Sequence, residues 1–284
     1  MPMYMDIHEV PGATPEAVAR AHEADLAHQG EHGVEYLKYW VNENTGTVFC
    51  LCKAPSSEAA TAVHRESHGL VASKIIEVVP EVAENFLGAS AVDSAGAAIV
   101  PGSGEHDTAF RTILFTDIVE STSMAQRIGD DAAVALLNVH DAIVREALAN
   151  FTGREVKHTG DGIMASFISA ASAVRCATQI HSALDAYARE NQEAGLRVRI
   201  GAAAGEPVES HNDLFGTTVQ LASRICSHAE PDQILVSNVI AELCIGKVLQ
   251  FQDLGEVAFK GFEYPVRVHA VVRPRRADVA PRDS

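Results

Sequence analysis

Residues 88–107 interrupt every pattern around them. The run 88–98 (Gly-Ala-Ser-Ala-Val-Asp-Ser-Ala-Gly-Ala-Ala) and the Pro-Gly-Ser-Gly-Glu at 101–105 are rich in small residues and carry no helical or strand period. Such a composition buries too little apolar area to fix its own conformation, so it reads as a linker. A chain of 284 residues already exceeds the ~100–200 typical of one domain. The break therefore divides it into a module at 1–87, a linker at 88–107 and a larger module at 108–273. A polar tail follows at 274–284.

Residues 3–9 alternate as a strand, and 15–29 are helical, with Thr14 as N-cap and Pro15 at the first helical position. Strands at 35–41 and 47–53 are joined by a hairpin connection. A second helix is expected at 57–68 and a closing strand at 75–79. That βαββαβ order suits a small ferredoxin-like sheet with helices on one face. The second module opens with an apolar strand at 111–118 and helices from Ser121 and over 131–149. A hairpin (155–158 and 163–167) turns at Thr159-Gly-Asp-Gly, and a striped helix covers 171–190. A strand at 197–203 turns back toward 206–210. Beyond it lie a helix at 217–229, a strand at 233–237 and a final pair near 254–258 and 266–272. Both modules are α+β.

Acidic residues outnumber basic ones by 38 to 22, for a net charge of −16. Phosphate backbones repel such a chain, which disfavours nucleic-acid and anionic-membrane partners. A small anionic substrate held by local cations and metal ions remains compatible. Five cysteines are too few and scattered for a disulfide framework. With no basic-plus-apolar leader and no long apolar run, a cytoplasmic location is expected.

Asp117 ends the apolar strand in the stretch 114–122 (Leu-Phe-Thr-Asp-Ile-Val-Glu-Ser-Thr), just where the chain enters a helix. Backbone N–H groups at such a turn face an anion, and a carboxylate beside them meets the cations an anion brings. Asp161 occupies a tight Gly-Asp-Gly turn whose glycines let a ligand approach the backbone. Carboxylates on neighbouring strands suit a pair of Mg²⁺ ions at a triphosphate. Each alone is equally read as an ordinary helix cap or hairpin-turn residue.

The combination is more specific. Phe-Thr-Asp-Ile-Val at 115–119, Val-Lys-His-Thr-Gly-Asp-Gly-Ile-Met-Ala-Ser-Phe at 156–167, Asp-Leu-Phe-Gly-Thr-Thr-Val-Gln-Leu-Ala-Ser-Arg at 213–224 and Phe-Lys-Gly-Phe at 259–262 resemble, in order and spacing, the class III nucleotide cyclase catalytic domain. The resemblance spans roughly 108–272 and implies a second ferredoxin-like module. It implies that Asp117 and Asp161, with Ile118, hold two Mg²⁺ or Mn²⁺ ions. It places Ile118, Val119, Ser121 and Thr122 at the substrate, Lys157 and Asp213 at the purine, Arg224 at the transition state and Lys260 at the terminal phosphates. Adenine offers an acceptor at N1 and a donor at N6, and guanine the reverse. A lysine only donates and a carboxylate only accepts, so Lys157 with Asp213 complements adenine. The implied activity is conversion of ATP to 3′,5′-cyclic AMP and pyrophosphate at a homodimer interface. One departure stands at Gln220, where the family commonly has an asparagine that orients the ribose. The added methylene moves the amide by about an ångström, and errors of that size cost about 10²-fold in rate.

The first module is dense in histidine: His8, His22, His28, His32, His64 and His68. His28/His32 and His64/His68 stand four apart, which on a helix puts both imidazoles on one face and suits Ni²⁺ or Zn²⁺. Solvated surface histidines are the plain alternative. Cys50 and Cys52 share one strand face and read as small core hydrophobes. Ala-His-Glu-Ala-Asp-Leu-Ala at 21–27 and Val-Phe-Cys-Leu at 48–51 resemble small ferredoxin-like proteins that include nickel-binding members. His64 and His68, with His22 or His8, form the candidate second metal site, and the module a candidate regulator. Two other readings stay open: a cyclase-like domain that binds nucleotide without turnover, and a metal-binding module carrying a dimerisation scaffold.

Overall fold

The computed structural model describes residues 1–80, 83, 91–100, 104–191, 196–206 and 216–273. The chain divides into two compact units, Met1–Phe110 with Glu206–Thr217, and Arg111–Gly205 with Thr218–Ser284. Asp213, part of the expected strand at 206–210, and the tail at 274–284 lie outside the described residues.

The first unit is an antiparallel sheet of β1 (Met3–Glu9), β2 (Glu35–Asn42), β3 (Thr47–Lys53) and β4 (Lys74–Val78), in the order β2-β3-β1-β4. With helices α1 (Pro15–His28) and α2 (Ser57–Ser67) between strands, this is the expected βαββαβ arrangement. Thr14 caps α1, its Oγ1 accepting from Ala17 N at 3.3 Å, and Ser56 caps α2 in the same way. A single 3₁₀ turn at Gln29–His32 ends the first helix. Tyr4, Val48, Cys50, Cys52, Ala60 and Val63 pack into one core. Burial raises the thiol pKa of both cysteines, so they serve as core hydrophobes.

Part of the stretch expected to be a linker is folded. Strands β5 (Ala91–Val92) and β6 (Ala98–Ile99) pair across a turn in which Asp93 Oδ1 accepts from Ala95 N (2.8 Å) and Ala97 N (2.9 Å). Gly96 O accepts from Tyr39 N at 3.1 Å, fastening the turn to β2. An Asx turn of this kind needs only one aspartate, which composition does not reveal.

The second unit is built on a seven-stranded sheet. Its strands are β7 (Arg111–Ile118), β8 (Arg154–His158), β9 (Ile163–Phe167), β10 (Val198–Gly205), β11 (Ile234–Ser237), β12 (Phe251–Val257) and β13 (Val266–Val271). The order is β12-β13-β11-β10-β7-β9-β8, and only β10–β11 is parallel. Helices are α3 (Ser121–Ile128), α4 (Asp130–Asn150), α5 (Ala170–Glu190), α6 (Gly216–His228) and a short α7 (Asn238–Leu243). Leu114, Val144, Ile163, Ala173, Ile180 and Val198 bring α4, α5 and the sheet into one core. Burying each such aliphatic side chain contributes about 1.5–3 kcal/mol. Among the described residues no helix is long and apolar enough to cross a membrane.

Candidate active site

Antiparallel pairing of β7 with β9 sets Phe115 opposite Met164 and brings Asp117 beside the turn that carries Asp161. Ile118 N donates to Asp161 O at 2.9 Å, and Ile163 N donates to Thr116 Oγ1 at 2.9 Å. The turn closes through Thr159 N to Gly162 O at 2.8 Å. Gly162 is required by contact: a Cβ there would lie 1.9 Å from Thr116 O. A polar chain braces the same turn from behind. His158 Nδ1 accepts from Gly160 N, His158 Nε2 meets Asp141, Asp141 meets His140 Nδ1, and His140 Nε2 lies 3.1 Å from Thr116 Oγ1. Burial lowers the pKa of His140 against the pull of Asp141, which keeps it a neutral brace.

Both carboxylates are half-buried and partnered. Asp161 Oδ2 accepts from Ser121 Oγ at 2.7 Å, and Asp117 Oδ2 accepts from Arg199 Nε at 2.6 Å. Burial raises the Asp117 pKa above the usual carboxylate value; Arg199 opposes the rise and Asp161 adds to it. A cation placed between the two acids would relieve that crowding, so the pair fits divalent metal ions. Helix α3 starts at Ser121 behind Glu120, which adopts a left-handed conformation (φ 56°) and supplies no side-chain cap. Its first N–H groups therefore suit an anion. A cleft of about 370 Å³ opens here, lined by Ile118, Ser121, Thr122, Gly160 and Asp161.

The other expected residues are not among those lining that cleft. Lys157 is exposed on β8, beside a register shift between Glu155 and Lys157. Gln220 and Arg224 are exposed one turn apart on α6, whose inner face packs so tightly on β10 that a Cβ on Gly201 would meet Cys226 N at 2.1 Å. Lys260 is exposed after Phe259, whose ring is buried against His228 and Phe262. Val119 is half-buried beside Ile118, its N–H donating to Arg197 O. The residues that sequence reasoning missed are Arg199 and the His140–Asp141–His158 brace.

The first unit holds a polar cluster in its core. His64 Nε2 lies 2.9 Å from Asp6 Oδ2, and His64 Nδ1 lies 3.2 Å from Asp25 Oδ1. That same Asp25 oxygen also meets His68 Nε2 at 3.1 Å and Ser67 Oγ. Burial alone would lower the His64 pKa, but its bonds to Asp25 and Asp6 prevail and lift it to about 9. Burial depresses His8 to about 3 and also lowers His22, so both stay neutral. His8, His22, Asp25, His64 and His68 line a cavity of about 80 Å³. His28 and His32, by contrast, take separate partners: Ala24 O and Glu66.

A family model described as the adenylate and guanylate cyclase catalytic domain matches residues 104–272. The chain belongs to this family. A second model, described as nickel responsive protein SCO4226-like, matches residues 4–78. The cyclase region is 30% identical over 158 residues to putative adenylate cyclase 3 of Rhizobium meliloti, covering 55% of this chain and 27% of that protein. The chain thus spans about a quarter of the length of that relative. The crystal structure of the adenylyl cyclase CyaB from P. aeruginosa aligns with a TM-score of 0.53 at 26% identity, over 59% of this chain and 95% of that one. An adenylate/guanylate cyclase/hydrolase from Silicibacter pomeroyi aligns with a TM-score of 0.51 at 29% identity, over 58% of this chain and 98% of that one. The second unit is therefore a class III nucleotide cyclase domain, with both adenylate and guanylate cyclases named among its relatives.

Proposed function

We propose that the chain is an adenylate cyclase that converts ATP to 3′,5′-cyclic AMP and pyrophosphate at a homodimer interface, under control of its N-terminal unit. The observation that carries this reading is the Asp117/Asp161 pair, fixed on adjoining segments, with Asp161 lining a cleft at the start of α3. Two Mg²⁺ or Mn²⁺ ions held there by Asp117 and Asp161, with Ile118, would lower the pKa of the ribose 3′-hydroxyl and neutralise the triphosphate. Ser121 donates to the Asp161 carboxylate, and the Arg199 guanidinium opposes the rise that burial imposes on the Asp117 pKa. Ser121, Thr122 and Val119 border the triphosphate. Lys157 donates to adenine N1 and Asp213 accepts from N6. Gln220 orients the ribose, Arg224 takes charge developing on the α-phosphate, and Lys260 holds the terminal phosphates.

Lys157, Gln220, Arg224 and Lys260 are exposed. Their exposure supports a site completed by a second copy of the chain, giving two equivalent sites per homodimer. Complementation tests this. Asp117→Ala and Arg224→Ala homodimers should each lose turnover by orders of magnitude. Mixing and re-equilibrating the two should restore up to one intact site per heterodimer. Failure of mixing to restore any cyclic AMP formation refutes the shared site.

For the N-terminal unit, the match to a nickel-responsive family and the buried histidine cluster support a Ni²⁺- or Zn²⁺-type input. Such an ion changes cyclase output only to the extent that it binds one dimer arrangement better than another.

A further inference from the structure

We infer that Asp6, His8 and His64 hold a single divalent transition-metal ion in the N-terminal unit, with Asp25 as the outer partner that orients His64. This deepens, and rests on, the reading of that unit as metal-responsive; the particular residues come from the geometry. One donor atom from each of the three lies within 4.8 Å of the other two, and all three side chains are buried. Two of their polar atoms, Asp6 Oδ1 and His8 Nε2, are buried with no hydrogen-bond partner. A buried polar atom left unpaired is costly, and a bound ion would satisfy both atoms. The His8 and His64 rings stand perpendicular with centroids 4.6 Å apart, so their edges can converge on one point. His64 Nε2 and Asp6 Oδ2 are 2.9 Å apart. With metal–donor bonds of ~2.1 Å, adjacent octahedral ligands lie about 3.0 Å apart and tetrahedral ones about 3.4 Å. His64 and Asp6 therefore already stand at ligand spacing, and the His8 donor, within 4.8 Å of both, completes the set by moving inward.

The expected pair His64/His68 is the weaker site. Its shared neighbour Asp25 already receives His64, His68 and Ser67 on one oxygen, which makes a satisfied hydrogen-bond network. Within the proposed site that network has a definite use. A carboxylate on Nδ1 fixes a ligating imidazole's tautomer and direction, and the ion would take the place of the Tyr36 hydroxyl that stands 3.1 Å from His64 Nε2. The ion would replace any proton on Nε2, while Nδ1 keeps its hydrogen bond to Asp25. Two imidazoles and one carboxylate select Ni²⁺, Co²⁺ or Zn²⁺ over Mg²⁺. The remaining coordination positions fall to water from the cavity that His8 and His64 line.

The test uses the full chain carrying Asp117→Ala and Asp161→Ala, so that the cyclase carboxylates bind none of the added ion. CoCl₂ titration followed by visible absorbance, and NiCl₂ or ZnCl₂ titration by calorimetry, should give one ion per chain. His8→Ala and Asp6→Asn should weaken binding by well over tenfold, and Asp25→Asn by about 10–100-fold. His68→Ala should stay within threefold. Undiminished binding by His8→Ala, or loss in His68→Ala alone, overturns the assignment. Should a variant fail to fold, nitrogen NMR of the histidines in the otherwise unaltered protein decides. Zn²⁺ should move His8 Nε2 and His64 Nε2 while His64 Nδ1 keeps its proton; shifts confined to His68 contradict the site. Turnover enters none of these readouts, so the metal site and the nucleotide reaction stand or fall separately.

Discussion

Gly162→Ala offers a test of the site that needs no assumption about metals. The added Cβ would sit 1.9 Å from Thr116 O and 2.7 Å from Thr116 C, whereas real contacts stay beyond 3 Å. Both obstacles are backbone, so the Asp161 turn must part from β7 by roughly 1 Å, a displacement that costs about 10²-fold when it falls on reacting groups. The flanking bonds Ile118 N–Asp161 O and Ile163 N–Thr116 Oγ1 stretch with it. Overpacking of this kind costs ~1–3 kcal/mol, or about 2–4 °C in Tm per kcal/mol for a unit of this size. Gly160→Ala separates steric from conformational effects. Its Cβ meets nothing within 4 Å, but its φ of +97° penalises any side chain, by ~1–2 kcal/mol in the left-handed region. Steady-state kcat/KM with melting curves should show the larger activity loss in Gly162→Ala. Activity within threefold of the parent at unchanged Tm would refute the claim that this backbone contact sets the position of Asp161.

Two further outcomes are expected. Because His64 is lifted to about 9 in the folded state, its stabilisation is complete below ~6.5 and is lost as pH rises toward 9, amounting to at most about 3 kcal/mol. Trp40, the sole tryptophan and fully buried in the N-terminal unit, reports this directly by fluorescence. The unit's denaturation midpoint should fall between pH 6 and 9.5 and be flatter in His64→Gln; a level parent profile contradicts the ion-pair account. Lys157→Glu with Asp213→Cys should erode an ATP preference of at least tenfold over GTP, since each mismatched group costs ~1–3 kcal/mol. An unchanged ratio of the two kcat/KM values removes these residues from purine recognition.

What could be read from the sequence was mostly local. Asp117 and Asp161 announce themselves because a strand end and a Gly-Asp-Gly turn are short-range features, although their approach to one another rests on the pairing of β7 with β9. Arg199 does not, because its partnership with Asp117 depends on β10 lying beside β7, and sheet order across that many residues leaves no trace in either segment. The brace of His140, Asp141 and His158 was hidden for the same reason. In the N-terminal unit the histidines drew attention while Asp6 and Asp25 did not. A signal existed: Tyr4, Asp6 and His8 alternate along one face of β1, and two polar residues on a core-facing stripe require partners. The hairpin at Ala91–Ile99 escaped notice because small residues conceal the single aspartate that forms its turn.

The most direct test of the central claim is product identification. The purified 284-residue chain is incubated with ATP or GTP and Mg²⁺ or Mn²⁺, and products are resolved by chromatography and mass spectrometry. The account predicts 3′,5′-cyclic AMP with stoichiometric pyrophosphate from ATP, at least tenfold less cyclic GMP from GTP, and loss of both products in Asp117→Ala and Asp161→Ala. Absence of any cyclic nucleotide under these conditions, or equal use of GTP, would contradict it.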